Sequence, residues 1–183
     1  MRKQINLTKY VACICEGGAE WVIINKLLDS NSLIFKREDL IDSRILPRMK
    51  AKDFAEKFLN VDYSDKLTVL RIIDSPREKF NVPKQYKDKV NVVDVLTTPE
   101  IEMLVICNKG VFADFKKEQN KSKCTPSRYC KEKLGIKNIK TKKFVSKYFN
   151  NSKIIVDSIK EYYKNSYHNK ERHSLYDILK SKQ

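Results

Sequence analysis

Apolar runs alternate with polar, turn-forming segments through the first 110 residues of the chain. Residues 10–15 (YVACIC) are continuously apolar and stop at Glu16-Gly17-Gly18, a turn signal, which predicts a buried strand. Residues 19–29 (AEWVIINKLLD) carry apolar side chains at 21, 24, 27 and 28, the spacing of one helix face. Residues 30–46 are mixed, with a short strand candidate at 33–35. After Pro47 the apolar positions 51, 54, 55, 58 and 59 predict a helix over 50–60. Residues 67–73 (LTVLRII) predict a second strand, ending at Asp74-Ser75-Pro76, and 90–96 (VNVVDVL) a third. Thr97-Thr98-Pro99-Glu100 joins a hydroxyl cap to a proline at the first helical position, so a helix opens there and runs to Ile106. Beyond residue 110 no strand is predicted. Helices are expected at 111–119, 126–134, 141–149 and 151–163, then a polar stretch over 164–172 and a short final helix at 174–180. Strands alternating with helices define an α/β fold, a mostly parallel β-sheet flanked by helices, followed by a helical extension.

Charge divides the chain at the same place. Of the net +15, residues 1–110 supply +3 and residues 111–183 supply +12. The expected organisation is an α/β core over 1–110 and a lysine-rich helical extension over 111–183, packed on the same domain. Aromatic residues sit among the lysines of the basic half: Tyr129, Phe144, Tyr148, Phe149, Tyr162, Tyr163, Tyr167 and Tyr176. Lysines neutralise phosphates and exposed rings stack on bases, so nucleic acid is the expected partner. The alternative is a solvated lysine-rich face. The cations nominated for nucleic-acid contact are Arg77, Lys79, Lys121, Lys123, Arg128, Lys142 and Lys143.

Length and composition exclude several classes. A chain of 183 residues is expected to form one domain, or one domain plus a small appendage, large enough to bury a real core. The early apolar run 11–15 is too short for a signal-peptide core or a membrane span, so a cytoplasmic protein with no membrane partner is expected. The five cysteines are expected as reduced thiols: the count is odd and no pair has CxxC spacing. His168 and His173 lie in a polar tail, away from any cysteine spacing that suits zinc. The phosphate-binding loop GxxxxGK[ST], the dinucleotide fingerprint GxGxxG and the nucleophile elbow GxSxG are all absent from the sequence.

Acids mark the ends of the predicted strands. Glu16 ends the first and Asp74 the second; Glu100 and Glu102 follow the third, and Glu20 lies on the first turn of the first helix. In open parallel sheets, sites form outside the carboxyl ends of the strands. Acids converging there would supply the few carboxylate oxygens that Mg²⁺ takes while keeping its waters. A metal so held binds a phosphate and stabilises the leaving oxygen of a phosphodiester. An acidic pocket beside a basic module is the composition of a metal-dependent nuclease. Each acid taken alone is also explained as a helix-dipole partner or a solvated turn residue.

The segment Val11-Ala12-Cys13-Ile14-Cys15-Glu16-Gly17-Gly18-Ala19-Glu20 resembles the first motif of the TOPRIM domain: an apolar strand, then EGxxE, then a helix. The chain looks closer to the RloB-like branch, associated with OLD-family nucleases and with abortive-infection loci. The second strand of that branch ends in an Asp motif, here Leu70-Arg71-Ile72-Ile73-Asp74. A later helix opens with a small residue and proline, here Thr97-Thr98-Pro99-Glu100-Ile101-Glu102-Met103-Leu104. Thr125-Pro126-Ser127-Arg128-Tyr129-Cys130-Lys131 also looks like the Lys/Pro-rich helix start of that branch. The resemblance implies that Glu16 is the catalytic Glu, acting as general acid or base. It implies that Glu20 supports Glu16, that Asp74 binds Mg²⁺ and that Glu102 completes the acidic cluster, with Glu16 also toward the metal. TOPRIM domains carry Asp-x-Asp after the second strand, whereas Asp74-Ser75-Pro76 has no second acid. Either Glu78 or Glu102 substitutes for it, metal affinity is reduced, or the site is degenerate.

The expected function is therefore an Mg²⁺-dependent nuclease, with Mn²⁺ as the alternative ion, acting on DNA or RNA in defence against phage or mobile elements. An ATPase partner is implied by analogy with the family. The alternative is a non-catalytic nucleic-acid-binding or regulatory protein with a degenerate TOPRIM site.

Overall fold

The computed structural model describes residues 5–76, 79–97, 101–166 and 172–180. Five strands form one sheet: β1 (Tyr10–Cys15), β2 (Leu46–Pro47), β3 (Leu67–Ile73), β4 (Val90–Leu96) and β5 (His173–Ser174). Their order is β2-β1-β3-β4-β5 and every pairing is parallel. Among the described residues seven α-helices accompany them: α1 (Gly18–Asp29), α2 (Ala51–Phe58), α3 (Ile101–Asn108), α4 (Phe112–Ser122), α5 (Pro126–Glu132), α6 (Lys142–Tyr148) and α7 (Ser152–Asn165). The chain is an α/β protein with a parallel sheet flanked by helices.

Strands β1 and β3 are covered on both faces, which explains why they read as unbroken apolar runs rather than alternating ones. All seven residues of β3 are buried. Alternate side chains go to opposite faces. Cys13, Cys15, Leu70, Ile72 and Val95 join one core cluster, with α1 and α3 residues such as Ile23, Leu27 and Val105. Ala12, Ile14, Leu67 and Val69 join a second, closed by Phe54, Ala55 and Phe58 of α2. Helix α2 buries its residues at the i, i+3, i+4, i+7 spacing read from the sequence. Apart from Glu102, the buried residues of helix α3 are all apolar, and all but its last residue is buried.

The larger cluster ignores the change of charge at residue 110. Phe115, Tyr129, Cys130, Val145, Phe149, Ile155 and Ile159 fill it together with residues of β1, α1 and α3. All five cysteines are buried and outside any disulfide, packing as small apolar side chains. No helix among the described residues is long and apolar enough to cross a membrane.

Several local expectations are corrected. Residues 33–35 form no sheet strand. Leu33 makes an isolated antiparallel bridge to Leu179, and Ile34 N–H donates to Ile178 O at 2.9 Å. The second strand in the chain is β2 instead, too short to register as a pattern. A strand does occur beyond residue 110: β5 pairs Val95 with His173 and Leu96 with Ser174. The expected final helix is a single 3-10 turn over Leu175–Ile178, and Ser174 caps it by exchanging hydrogen bonds with Asp177. The buried face of α1 is Ala19, Val22, Ile23, Ile24, Leu27 and Leu28, not a stripe through Trp21, which is 38% exposed. The Thr98-Pro99-Glu100 helix start lies outside the described residues.

Candidate active site

Sheet register brings three strand ends to one level. Cys15 pairs with Ile72, and Ile73 with Leu96. The next amides continue the ladder: Glu16 N–H donates to Ile72 O at 3.0 Å and Thr97 N–H to Ile73 O at 2.9 Å. Glu16, Asp74 and Thr97 therefore leave the sheet side by side at its carboxyl edge. The Asp74 backbone N–H donates to Glu16 Oε2 at 3.2 Å, so the Glu16 carboxylate reaches across to the end of β3. Arg48 follows Pro47, which is in register with Cys15, and its Nη1 lies 3.4 Å from Glu16 Oε1.

These residues and the first turn of α1 line a cleft of about 370 Å³, to which Glu20 and Lys140 also contribute. Gly17 is the N-cap of α1 and offers no capping side chain. A Cβ on Gly17 would strike the Glu20 carboxylate, so the missing side chain is what lets Glu20 turn back over the helix start. A Cβ on Gly18 would lie 2.8 Å from Cγ of Lys142, whose aliphatic chain crosses this turn.

The electrostatics follow from this crowding. Burial pushes the Glu16 carboxyl above its ordinary value; the Asp74 backbone N–H and the Arg48 guanidinium act against that, while the Asp74 charge adds to it. Burial also raises Glu20, reinforced by the charges of Asp74 and Glu16 and opposed by its own backbone N–H and Lys140. Perturbed carboxyls in a cleft at the carboxyl edge of a parallel sheet are the pattern expected of a functional site.

Glu102 is placed differently. It is fully buried on α3, and its Oε1 lies 3.4 Å from Nζ of Lys140. Lys140 lines the cleft and Glu102 does not, so Glu102 stands behind the site and holds one of its cations. Glu16, Glu20 and Asp74 are thus brought together. Among the described residues there is no group of three or more His, Cys, Asp or Glu side chains placed to hold a metal ion. Glu78 and Glu100 lie outside the described residues.

The nominated nucleic-acid contacts are dispersed. Arg77 lies outside the described residues. Lys79, Lys121 and Lys123 are exposed; Lys121 is in the last turn of α4 and Lys123 caps it with left-handed backbone, φ 52°. Arg128 is engaged by Glu132 at 3.0 Å. Lys142 and Lys143 open α6, and Lys142 reaches the cleft turn at Gly18. The rings of the basic half mostly pack. Tyr129 and Phe149 are core residues, Phe144 stacks on Tyr148 and Tyr163 on Tyr176. Tyr167 lies outside the described residues.

Sequence reasoning missed Arg48, Lys140 and Trp21. The position of Arg48 follows from β2, whose two residues leave no periodic signal. Lys140 sits in a connection and carried no signal at all. Trp21 was readable only as an apolar helix position.

The fold and the cleft together define an α/β protein with paired carboxylates at the carboxyl edge of a parallel sheet, flanked by an arginine and a lysine. No family model matches the chain, and no curated protein or solved structure matches it either.

Proposed function

We propose that the chain is a metal-dependent nuclease with a TOPRIM-like core, acting in the cytoplasm in defence against phage or mobile elements. The observation that carries the reading is the meeting of Glu16, Glu20 and Asp74 in one cleft rimmed by Arg48 and Lys140. Residues far apart in sequence converge where the EGxxE resemblance places a catalytic site.

The donor chemistry suits Mg²⁺ or Mn²⁺. Carboxylate oxygens are hard ligands, and Mg²⁺ binds through one or two of them while retaining water. Glu16 and Asp74 would hold it, and the ion would supply charge stabilisation at the scissile phosphate. The chain's own residues have separate tasks. Glu16, with its raised carboxyl and its link to the Asp74 amide, would act as the general acid or base. Glu20 raises the local negative potential and supports Glu16. Arg48 and Lys140 attract and orient the phosphate backbone. An ATPase partner stays within this reading by analogy with the RloB-like branch.

A specific observation favours a second reading, a nucleic-acid-binding or regulatory protein. Glu102, the other carboxylate expected at the metal, does not line the cleft and pairs with Lys140. The test is a cleavage panel: labelled tRNA, single-stranded DNA, duplex DNA and supercoiled plasmid, each with Mg²⁺, Mn²⁺ or EDTA. Metal-dependent cutting by the wild type that disappears in Glu16→Gln and Asp74→Asn supports the nuclease. Salt-sensitive binding without cutting supports the second reading.

A further inference from the structure

Trp21 is the single tryptophan of the chain, and it stands one residue beyond Glu20 on the first turn of α1. Its neighbours Ala19, Val22 and Ile23 turn into the core, while the indole stays 38% exposed. Trp21 shares its helix face with Gly18, three residues earlier, and Gly18 lines the acidic cleft. Between indole and cleft the helix itself presents only the Gly18 backbone, with no side chain of its own. Lys142 comes in from α6 over the same turn. Its chain covers Gly18, and its Nζ lies 4.8 Å from the centre of the indole ring. An ammonium held against an exposed indole is a cation–π pair, and both partners face solvent beside the cleft.

We propose that Trp21 and Lys142 form a stacking platform for one base of a single-stranded nucleic acid whose backbone enters the cleft. The proposal deepens the nuclease reading and rests on the cleft being a nucleic-acid site. Its chemistry is that of non-specific single-strand recognition, in which an aromatic face takes a base and neighbouring cations take the phosphates. Trp21 supplies the face. Lys142, Lys143 and the cleft cations Arg48 and Lys140 supply the charge. A duplex keeps its base faces stacked inside, so the platform discriminates for single strands or splayed ends. Among the rings of the basic half, Tyr129 and Phe149 are buried and Phe144, Tyr148, Tyr163 and Tyr176 are paired with one another, which makes these six poor candidates for the same task.

Because Trp21 is the sole tryptophan, its fluorescence reports this position alone. Wild-type protein is titrated in EDTA with a fluorophore-labelled oligo(dT), a single-stranded RNA and a duplex of equal length. Anisotropy of the label reports binding anywhere on the protein, and indole emission reports stacking. The proposal expects indole quenching that tracks single-strand binding, with a weaker response to the duplex. Trp21→Ala weakens single-strand binding about tenfold or more, the loss of one stacked base, and Trp21→Phe recovers part of it. Unchanged melting of both variants confirms that the fold is intact. Binding without quenching, or equal affinity in Trp21→Ala, overturns the platform while leaving the nucleic-acid site standing. Equal quenching by the duplex overturns the single-strand preference. No binding of any nucleic acid removes the platform and its premise, and points to a protein partner at this face.

Discussion

The pairing of Glu102 with Lys140 separates a structural role for this acid from a catalytic one. Glu102 is fully buried, and its carboxylate lies 3.4 Å from a lysine whose side chain is 56% exposed. Removing one partner of a buried pair costs about 3–5 kcal/mol, because the remaining charge is left in a poor solvent. Water reaches Lys140, so the loss belongs at or below the lower end, about 2–3 kcal/mol for Lys140→Met. A domain of this size loses about 2–4 °C of Tm per kcal/mol, so the variant should melt about 4–12 °C below the wild type. Replacing both groups, Glu102→Leu with Lys140→Met, removes the charge altogether and should recover most of the loss, to within about 1 kcal/mol of the wild type. Differential scanning calorimetry at neutral pH measures all three. A single variant melting with the wild type, or a double variant no more stable than the single, refutes the reasoning.

Other outcomes follow from the same geometry. The raised Glu20 carboxyl means that the folded protein holds that proton more tightly than the unfolded chain. The resulting destabilisation appears as pH rises from the ordinary carboxyl range through the raised value, and is complete above it. Glu20→Gln should therefore melt above the wild type at neutral pH, the difference vanishing near about pH 4; a constant difference across pH contradicts this. Phe54 is fully buried beneath the sheet against Phe58 and Phe80, with ring centres 5.2 and 5.8 Å away. Phe54→Ala should cost about 3–5 kcal/mol in urea unfolding, and a loss under about 1 kcal/mol would mean α2 is not packed as described. Glu16→Gln and Asp74→Asn should abolish metal-supported cleavage while leaving nucleic-acid affinity within a few-fold of the wild type, measured by anisotropy.

What was legible in the sequence tracks how much each residue's surroundings repeat. The unbroken apolar runs of β1 and β3 announce strands covered on both faces, and α2 shows its buried stripe directly. Glu16 and Asp74 were placed together because strand ends in a parallel sheet share one edge. The two-residue strands β2 and β5 carry no periodicity, and Arg48 was hidden with the first of them. Leu33 is as buried as a strand residue, yet its bridge partner is Leu179, beyond the sheet, a contact that no local pattern encodes. Glu102 was grouped with the other acids by sequence distance. The helix around it is apolar on every side, which points its carboxylate into the core and toward Lys140. Trp21 was misplaced because a large apolar residue at helical spacing fits a core stripe as well as it fits an exposed ring.

The account turns on Asp74 contacting the metal that supports cleavage, and one substitution tests that contact. Asp74→Cys exchanges a hard carboxylate for a soft thiolate, which disfavours Mg²⁺ and favours thiophilic ions such as Cd²⁺. The measurement is the single-turnover cleavage rate of wild type and variant with each ion, on the substrate the wild type cuts. The account predicts that the variant loses Mg²⁺-supported cleavage and regains it with Cd²⁺. Undiminished Mg²⁺-supported cleavage by Asp74→Cys would contradict it.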